Sequence, residues 1–132
     1  MSLLTEKLSS MRVFRSRTPA TKEQILQAER QLELNFSKEF RNYLLELGCA
    51  SIYGHEFTGL CTSSRLDVVQ VTLLQRELNK HIPFNWYVIE DLNIDGITVW
   101  QDPDGNIYSK LPYSPPQKVA NSFLEYIDDT DD

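Results

Sequence analysis

Residues 86–109 read WYVIEDLNIDGITVWQDPDGNIYS, and the alternation in that stretch points to a β-meander. Trp86-Tyr87-Val88-Ile89 is a run of aromatic and β-branched residues, the types that fit a pleated, half-buried surface. Glu90-Asp91-Leu92-Asn93-Ile94-Asp95-Gly96 follows as a polar turn, and Ile97-Thr98-Val99-Trp100 is a second strand. Gln101-Asp102-Pro103-Asp104-Gly105-Asn106 carries reverse-turn chemistry, and Ile107-Tyr108-Ser109 is a third strand. Short strands joined by short turns predict an antiparallel meander.

On both sides of this stretch apolar residues return at helical spacing. Residues 3–10 predict a short helix with Leu3, Leu4 and Leu8 on one side. The segment RVFRSRTP breaks that period, and Pro19 keeps the chain extended. Thr21 is placed to cap a helix over 22–32, with Gln24 at the third position of the capping box and Ile25, Ala28 and Leu32 as its stripe. Ser37 caps a second helix, marked by Phe40, Leu44 and Leu47, which stops at Gly48. Ser51 to Leu60 holds two short alternating runs broken by Gly54 and Gly59. Asp67 to Asn79 reads as a helix with Val68, Val71, Leu74 and Leu78 in register, ended by Pro83. A last helix carries Val119, Ala120, Phe123, Leu124 and Ile127. The expectation is an α+β fold, a small twisted antiparallel sheet with helices packed mainly on one face.

The 132 residues suit one domain, 1–132, opening with a helix and extended arm over 1–20 and closing with a frayed acidic tail over 128–132. No stretch approaches the roughly 20 apolar residues a membrane span needs. The first residues are too polar for a signal peptide, with Glu6 among them, so the expected location is the cytoplasm. Two cysteines, Cys49 and Cys61, without a CxxC spacing read as reduced packing residues, with a disulfide as the alternative.

Charge is uneven along the chain. Residues 1–41 hold eight basic and five acidic side chains, whereas residues 86–132 hold ten acidic ones against Lys110 and Lys118. With a net charge of -6, such a field repels a phosphate backbone and attracts basic surfaces. Direct binding of nucleic acid is therefore not expected, and solubility alone is the plainer account of the acids.

A search for catalytic chemistry finds little. His55 and His81 stand apart, with no HExxH and no zinc-like spacing to a cysteine. The glycines are scattered singly, so no phosphate loop forms. Asp102 to Ile107 has aspartates around a glycine, but no closing glutamate completes a calcium loop. Glu90, Asp91 and Asp95 invite a paired-carboxylate reading that a turn between strands explains more simply. No serine lies in an elbow such as GxSxG. No cofactor or metal is expected, and no enzyme activity.

From Thr21 through Gly48 the chain resembles the opening of the SUKH superfamily, which includes bacterial immunity proteins and Smi/Knr-type regulators. The matching residues are Ile25, Glu29, Leu32, Phe40, Tyr43-Leu44-Leu45 and Gly48. Later counterparts are Gly59-Leu60, Asp67-Val68-Val69, Val88-Ile89 and Ala120-Asn121-Ser122-Phe123-Leu124. The usual Leu-Pro is replaced by Asn35-Phe36, which removes the rigidity a proline brings to the second helix's start. The usual glycine pair is Gly48-Cys49. The resemblance implies an immunity protein that neutralises a cognate secreted toxin domain, often a nuclease, whose basic surface an acidic domain would cover. A regulatory or scaffold module of the same fold is the alternative, and a small hydrolase with a non-local Asp/His site is another of a different class. The candidate contact residues are Glu90, Asp91, Asp95, Asp102 and Asp104, with Tyr53, Glu56 and Tyr108 as neighbours on the sheet. In that reading aromatics supply apolar area and carboxylates select the partner.

Overall fold

The structure is a computed structural model that describes residues 1–130. The elements in order are α1 (Leu3–Ser9), β1 (Arg15–Ser16), α2 (Lys22–Leu32), α3 (Lys38–Leu47), β2 (Ala50–Ile52), β3 (His55–Glu56), α4 (Val68–Leu78), β4 (Tyr87–Asp91), β5 (Thr98–Gln101), β6 (Ile107–Lys110), β7 (Gln117–Ala120) and α5 (Phe123–Thr130). The strands form two antiparallel sheets, β1-β2-β3 and β4-β5-β6-β7. An isolated bridge between Phe57 and Glu90 joins them, so β4 leans on the first sheet. At the other edge lies β7, and among the described residues no strand pairs with its far side.

Pairing register assigns the sheet faces. Tyr87, Gln101, Ile107 and Ala120 lie side by side on one rung, and Val88, Trp100 and Tyr108 on the next. Neighbouring rungs point to opposite faces. The first row faces the main core, where Leu4, Leu8, Ile25, Leu32, Phe40, Leu44 and Phe123 converge from α1, α2, α3 and α5. The second row forms a smaller core with Val71 of α4 and Trp86. Both tryptophans are buried, and Trp86 stacks on Tyr108 with ring centroids 3.9 Å apart.

Local chemistry accounts for the helix ends. Thr21 and Gln24 close a reciprocal capping box on α2, Ser37 accepts from the N–H of Phe40, and Asp67 accepts from Gln70. At the turn between α2 and α3, the buried Glu29 carboxylate accepts the Phe36 N–H at 2.7 Å and the Arg41 guanidinium at 2.8 Å. A proline at position 36 would lack that N–H. The rigidity expected from a family proline is thus supplied by a charge-assisted hydrogen bond. Gly48 ends α3 at φ 72°, where a Cβ would meet the Thr18 carbonyl oxygen at 2.0 Å. A Cβ on Gly59 would meet the Gly48 oxygen at 2.1 Å, so three segments cross where only glycine fits.

A buried polar network ties the layers together. The Tyr87 hydroxyl accepts the Ser37 N–H at 2.9 Å and donates to Gln101 Oε1 at 2.6 Å. Gln101 Nε2 donates to Glu39 Oε1 at 3.1 Å and to the Gly105 carbonyl at 3.0 Å. Glu39 in turn accepts the first two N–H groups of α5, from Phe123 at 2.8 Å and Leu124 at 3.0 Å.

Several expectations need correction. Leu3 is 71% exposed, leaving Leu4 and Leu8 as the buried side of α1. The arm forms a short strand, β1, on the edge of the first sheet. Val119 and Ala120 belong to β7, not to the last helix, because Gln117–Ala120 pairs with β6. Glu90 and Asp91 complete β4 instead of opening the turn. The buried side of α4 is Val68, Val69, Val71 and Thr72, whereas Leu74 and Leu78 are 60% and 69% exposed. The helix stops at Leu78, capped by Asn79, ahead of Pro83. Residues 128–130 continue α5, and the rest of the expected frayed tail, 131–132, lies outside the described residues.

Leu44 is fully buried at the centre of the main core. Leu44→Ala should lower stability by about 2–5 kcal/mol, read as a shifted urea midpoint with an unchanged slope.

Candidate functional site

The eight candidate contact residues fall into three groups. Glu90 and Asp91 end β4 and Asp95 sits in the β4–β5 turn, while Asp102 and Asp104 lie in the β5–β6 turn. These turns cap opposite ends of β5, a four-residue strand, and so stand roughly 13 Å apart. Tyr108, on β6, belongs with the second pair, while Glu56 lies on β3 of the first sheet and Tyr53 in the β2–β3 turn.

Two of the eight are internal. Glu90 is 1% exposed, and its carboxylate accepts His55 Nδ1 at 2.7 Å and the Tyr126 hydroxyl at 2.5 Å. The register shift between Val88 and Glu90 accompanies this placement. Asp102 is also buried and organises its own turn, accepting from the N–H groups of Asp104 and Asn106, the Asn106 amide and the Tyr108 hydroxyl. Burial works to raise the Asp102 carboxyl, but these hydrogen bonds prevail and hold it below its usual range. Both carboxylates are engaged in hydrogen bonds inside the protein. Sequence patterning places an acid in a turn; it does not reveal that the side chain folds back into it.

Of the others, Glu56 pairs with Arg65 at 2.8 Å, and the Arg12 guanidinium lies 4.7 Å from the Tyr53 ring. The first-sheet group is therefore neutralised by nearby arginines. Asp95 and Asp104 are exposed and Asp91 is half-buried. Among the described residues none of these three takes part in an ion pair. Their carboxylates, at the two ends of β5, are thus not held in direct ion pairs.

His55, Glu90 and Tyr126 together resemble a proton-transfer cluster, but their setting is structural. They join β3, β4 and α5 around the buried Glu90 carboxylate. The hydrogen bond to Glu90 raises the His55 pKa, against an opposing effect of partial burial. Burial and the same carboxylate push the Tyr126 hydroxyl up, so it remains a donor through the neutral range. His81 and Asp91 share a groove at the end of α4, with no hydrogen bond or ion pair between them among the described residues. No group of three or more His, Cys, Asp and Glu side chains among the described residues is arranged to hold a metal ion.

Cys49 is buried and Cys61 half-buried, and both are free thiols. Burial first, then the nearby Cys61, pushes Cys49 up to about 12, which leaves it a poor nucleophile at neutral pH. No described helix is long and apolar enough to cross a membrane.

The elevated His55 pKa has a signed consequence. Protonated His55 stabilises the fold fully below its ordinary value of 6.5, and the contribution fades as pH rises through the elevated one. Unfolding midpoints should fall across that window, and His55→Asn should flatten the profile. An unchanged slope in the variant would assign the pH dependence to another group.

The family described as "SUKH_5: SMI1-KNR4 cell-wall" matches residues 1–130. The chain is also similar to Late endosome and vacuole interface protein 11 of Saccharomyces cerevisiae, at 30% identity over 86 residues, which is 65% of this chain. It spans only 10% of that relative's length.

Proposed function

Because the chain belongs to the SMI1-KNR4 family SUKH_5, a family of non-catalytic immunity and protein-interaction domains, we propose that it works by holding a basic protein surface against its second sheet. The partner that best fits this chemistry is a secreted toxin domain, a nuclease above all, met in the cytoplasm of the cell to be protected. A nuclease needs a cationic surface for its phosphate substrate. A carboxylate-bearing domain seated there excludes the substrate by charge and by volume.

The supporting observation is the absence, among the described residues, of any ion pair to Asp91, Asp95 or Asp104. Exposed carboxylates not held in direct ion pairs project field into solvent and steer an oppositely charged partner during encounter. Tyr108, stacked on Trp86, offers a rigid aromatic edge beside Asp104. Glu90 and Asp102 act one step back, fixing the strand and turn that present the exposed acids. Tyr53 and Glu56 stand at the margin, beside arginines that a basic partner would avoid.

A second reading follows from the yeast relative, within whose much longer chain the similar region is a small part. There the domain would serve as an interaction module of a larger assembly, with no toxin involved. Both readings require the same exposed acids.

Isolating the partner by pull-down and following its association by stopped flow separates these ideas. Asp91→Lys with Asp95→Lys should slow association about tenfold or more at low salt, with less effect at high salt and no loss of folding. Equal rates for variant and parent at low salt would remove the acidic face from the interface. A nuclease among the captured proteins selects the immunity reading; a non-toxin scaffold selects the other.

A further inference from the structure

The outer stripe of α4 has no covering within the fold, and it runs into a groove. Leu74 and Leu78 are one turn apart on the solvent side of the helix. Beyond Leu78 the groove, with a volume of about 820 Å³, continues past Ile82 to a second wall made by Pro112, Tyr113, Pro115 and Pro116. Its floor is one rung of the sheet: Asp91 pairs with Thr98, and Thr98 with Lys110. The proline wall rests against the β4–β5 turn, since a Cβ on Gly96 would lie 2.9 Å from Pro112 Cγ. At its lip Tyr113 is fully exposed, on a backbone at φ 65°. A left-handed conformation is unusual for tyrosine, yet here it turns the ring away from the core.

The charge of this groove runs against that of its surroundings. Lys80, His81 and Lys110 line it, with Asp91 as the single carboxylate. Lys110 is one of only two basic residues after position 85. Neither lysine takes part in an ion pair among the described residues; Lys110 Nζ donates only to the Leu111 carbonyl. The Asp91 carboxylate accepts the Asn93 N–H at 2.9 Å. Apolar walls with a cationic rim, in a protein of net charge -6, complement a ligand with the opposite arrangement.

We propose that this groove docks a short segment of another protein that presents a large apolar side chain flanked by carboxylates. The apolar side chain lies between Leu78, Ile82 and the proline wall, and the carboxylates face Lys80 and Lys110. The volume suits one or two large side chains, within the usual range for ligand pockets of roughly 300–1,000 Å³. This partner is opposite in charge to the one that meets Asp95 and Asp104; Asp91 borders both surfaces, but Leu78, the proline wall and the two lysines carry this one.

The test uses the full chain and a fluorescein-labelled synthetic peptide, Leu-Trp flanked on both sides by glutamates, followed by anisotropy. Saturable binding is expected, and added salt should weaken it. Lys80→Glu with Lys110→Glu, and separately Leu78→Ser, should each weaken it by about tenfold or more. Those positions lie outside the core, so unfolding midpoints serve as the control for intact variants. Asp104→Lys, at the far end of β5, should leave peptide binding unchanged. No binding to the parent protein, equal binding by the groove variants, or equal binding of a peptide with lysines in place of glutamates would overturn the proposal. Dimerisation of the parent chain that Leu78→Ser abolishes would overturn it too, by giving the groove to a second copy.

Discussion

The side chain of Gln101 sits where the layers of this protein meet, and it has no free valence. Its oxygen accepts from the hydroxyls of Ser37 and Tyr87, and its nitrogen donates to Glu39 and to the Gly105 carbonyl. Through these bonds the start of α3, strands β4 and β5, the β5–β6 turn and the start of α5 share one connected network. An unpaired polar group at such depth carries a desolvation penalty of about 1–3 kcal/mol, so each member constrains the others. The apolar core supplies the larger stabilisation but is non-directional. The network sets which helix end meets which strand.

That constraint organises the surface as well. With β5 held from within, its two ends display Asp91 and Asp95 on one side and Asp104 on the other. Glu90 and Asp102 then act as internal ligands, one for His55 and Tyr126, the other for its own turn. The acidic character of residues 86–132 thus divides into carboxylates that build the sheet and carboxylates that it presents. Only the second kind is available to a partner.

Much of this was readable beforehand, for physical reasons that can be named. The helices over 22–32 and 38–47 are bounded by Thr21, Ser37 and Gly48, whose local hydrogen-bonding or conformational preferences act over a few residues. The meander was visible because β-branched and aromatic runs alternate with Asp, Pro and Gly. β7 was missed because Val119 and Ala120 continue an apolar spacing into Phe123 and Ile127, and only pairing with β6 separates strand from helix. The solvent-facing Leu74 and Leu78 were missed because periodicity finds a stripe without saying whether anything covers it. The placement of Glu90 depends on a bulge and on partners 35 and 36 residues away, which no local pattern encodes. Family resemblance is legible in common residues, whereas the bond from the Phe36 N–H to the Glu29 carboxylate is displayed only by the folded geometry.

The outer edge of the second sheet has a bearing on how the protein behaves when crowded. β7 offers unpaired backbone groups, which in many proteins invite edge-to-edge polymerisation. Here the strand is four residues long, follows Pro115 and Pro116, and carries the exposed Lys118. Two such edges brought together would oppose lysines and abut rings that cannot donate. A short strand, adjacent prolines and an exposed lysine are the devices that discourage an open sheet edge from templating fibres.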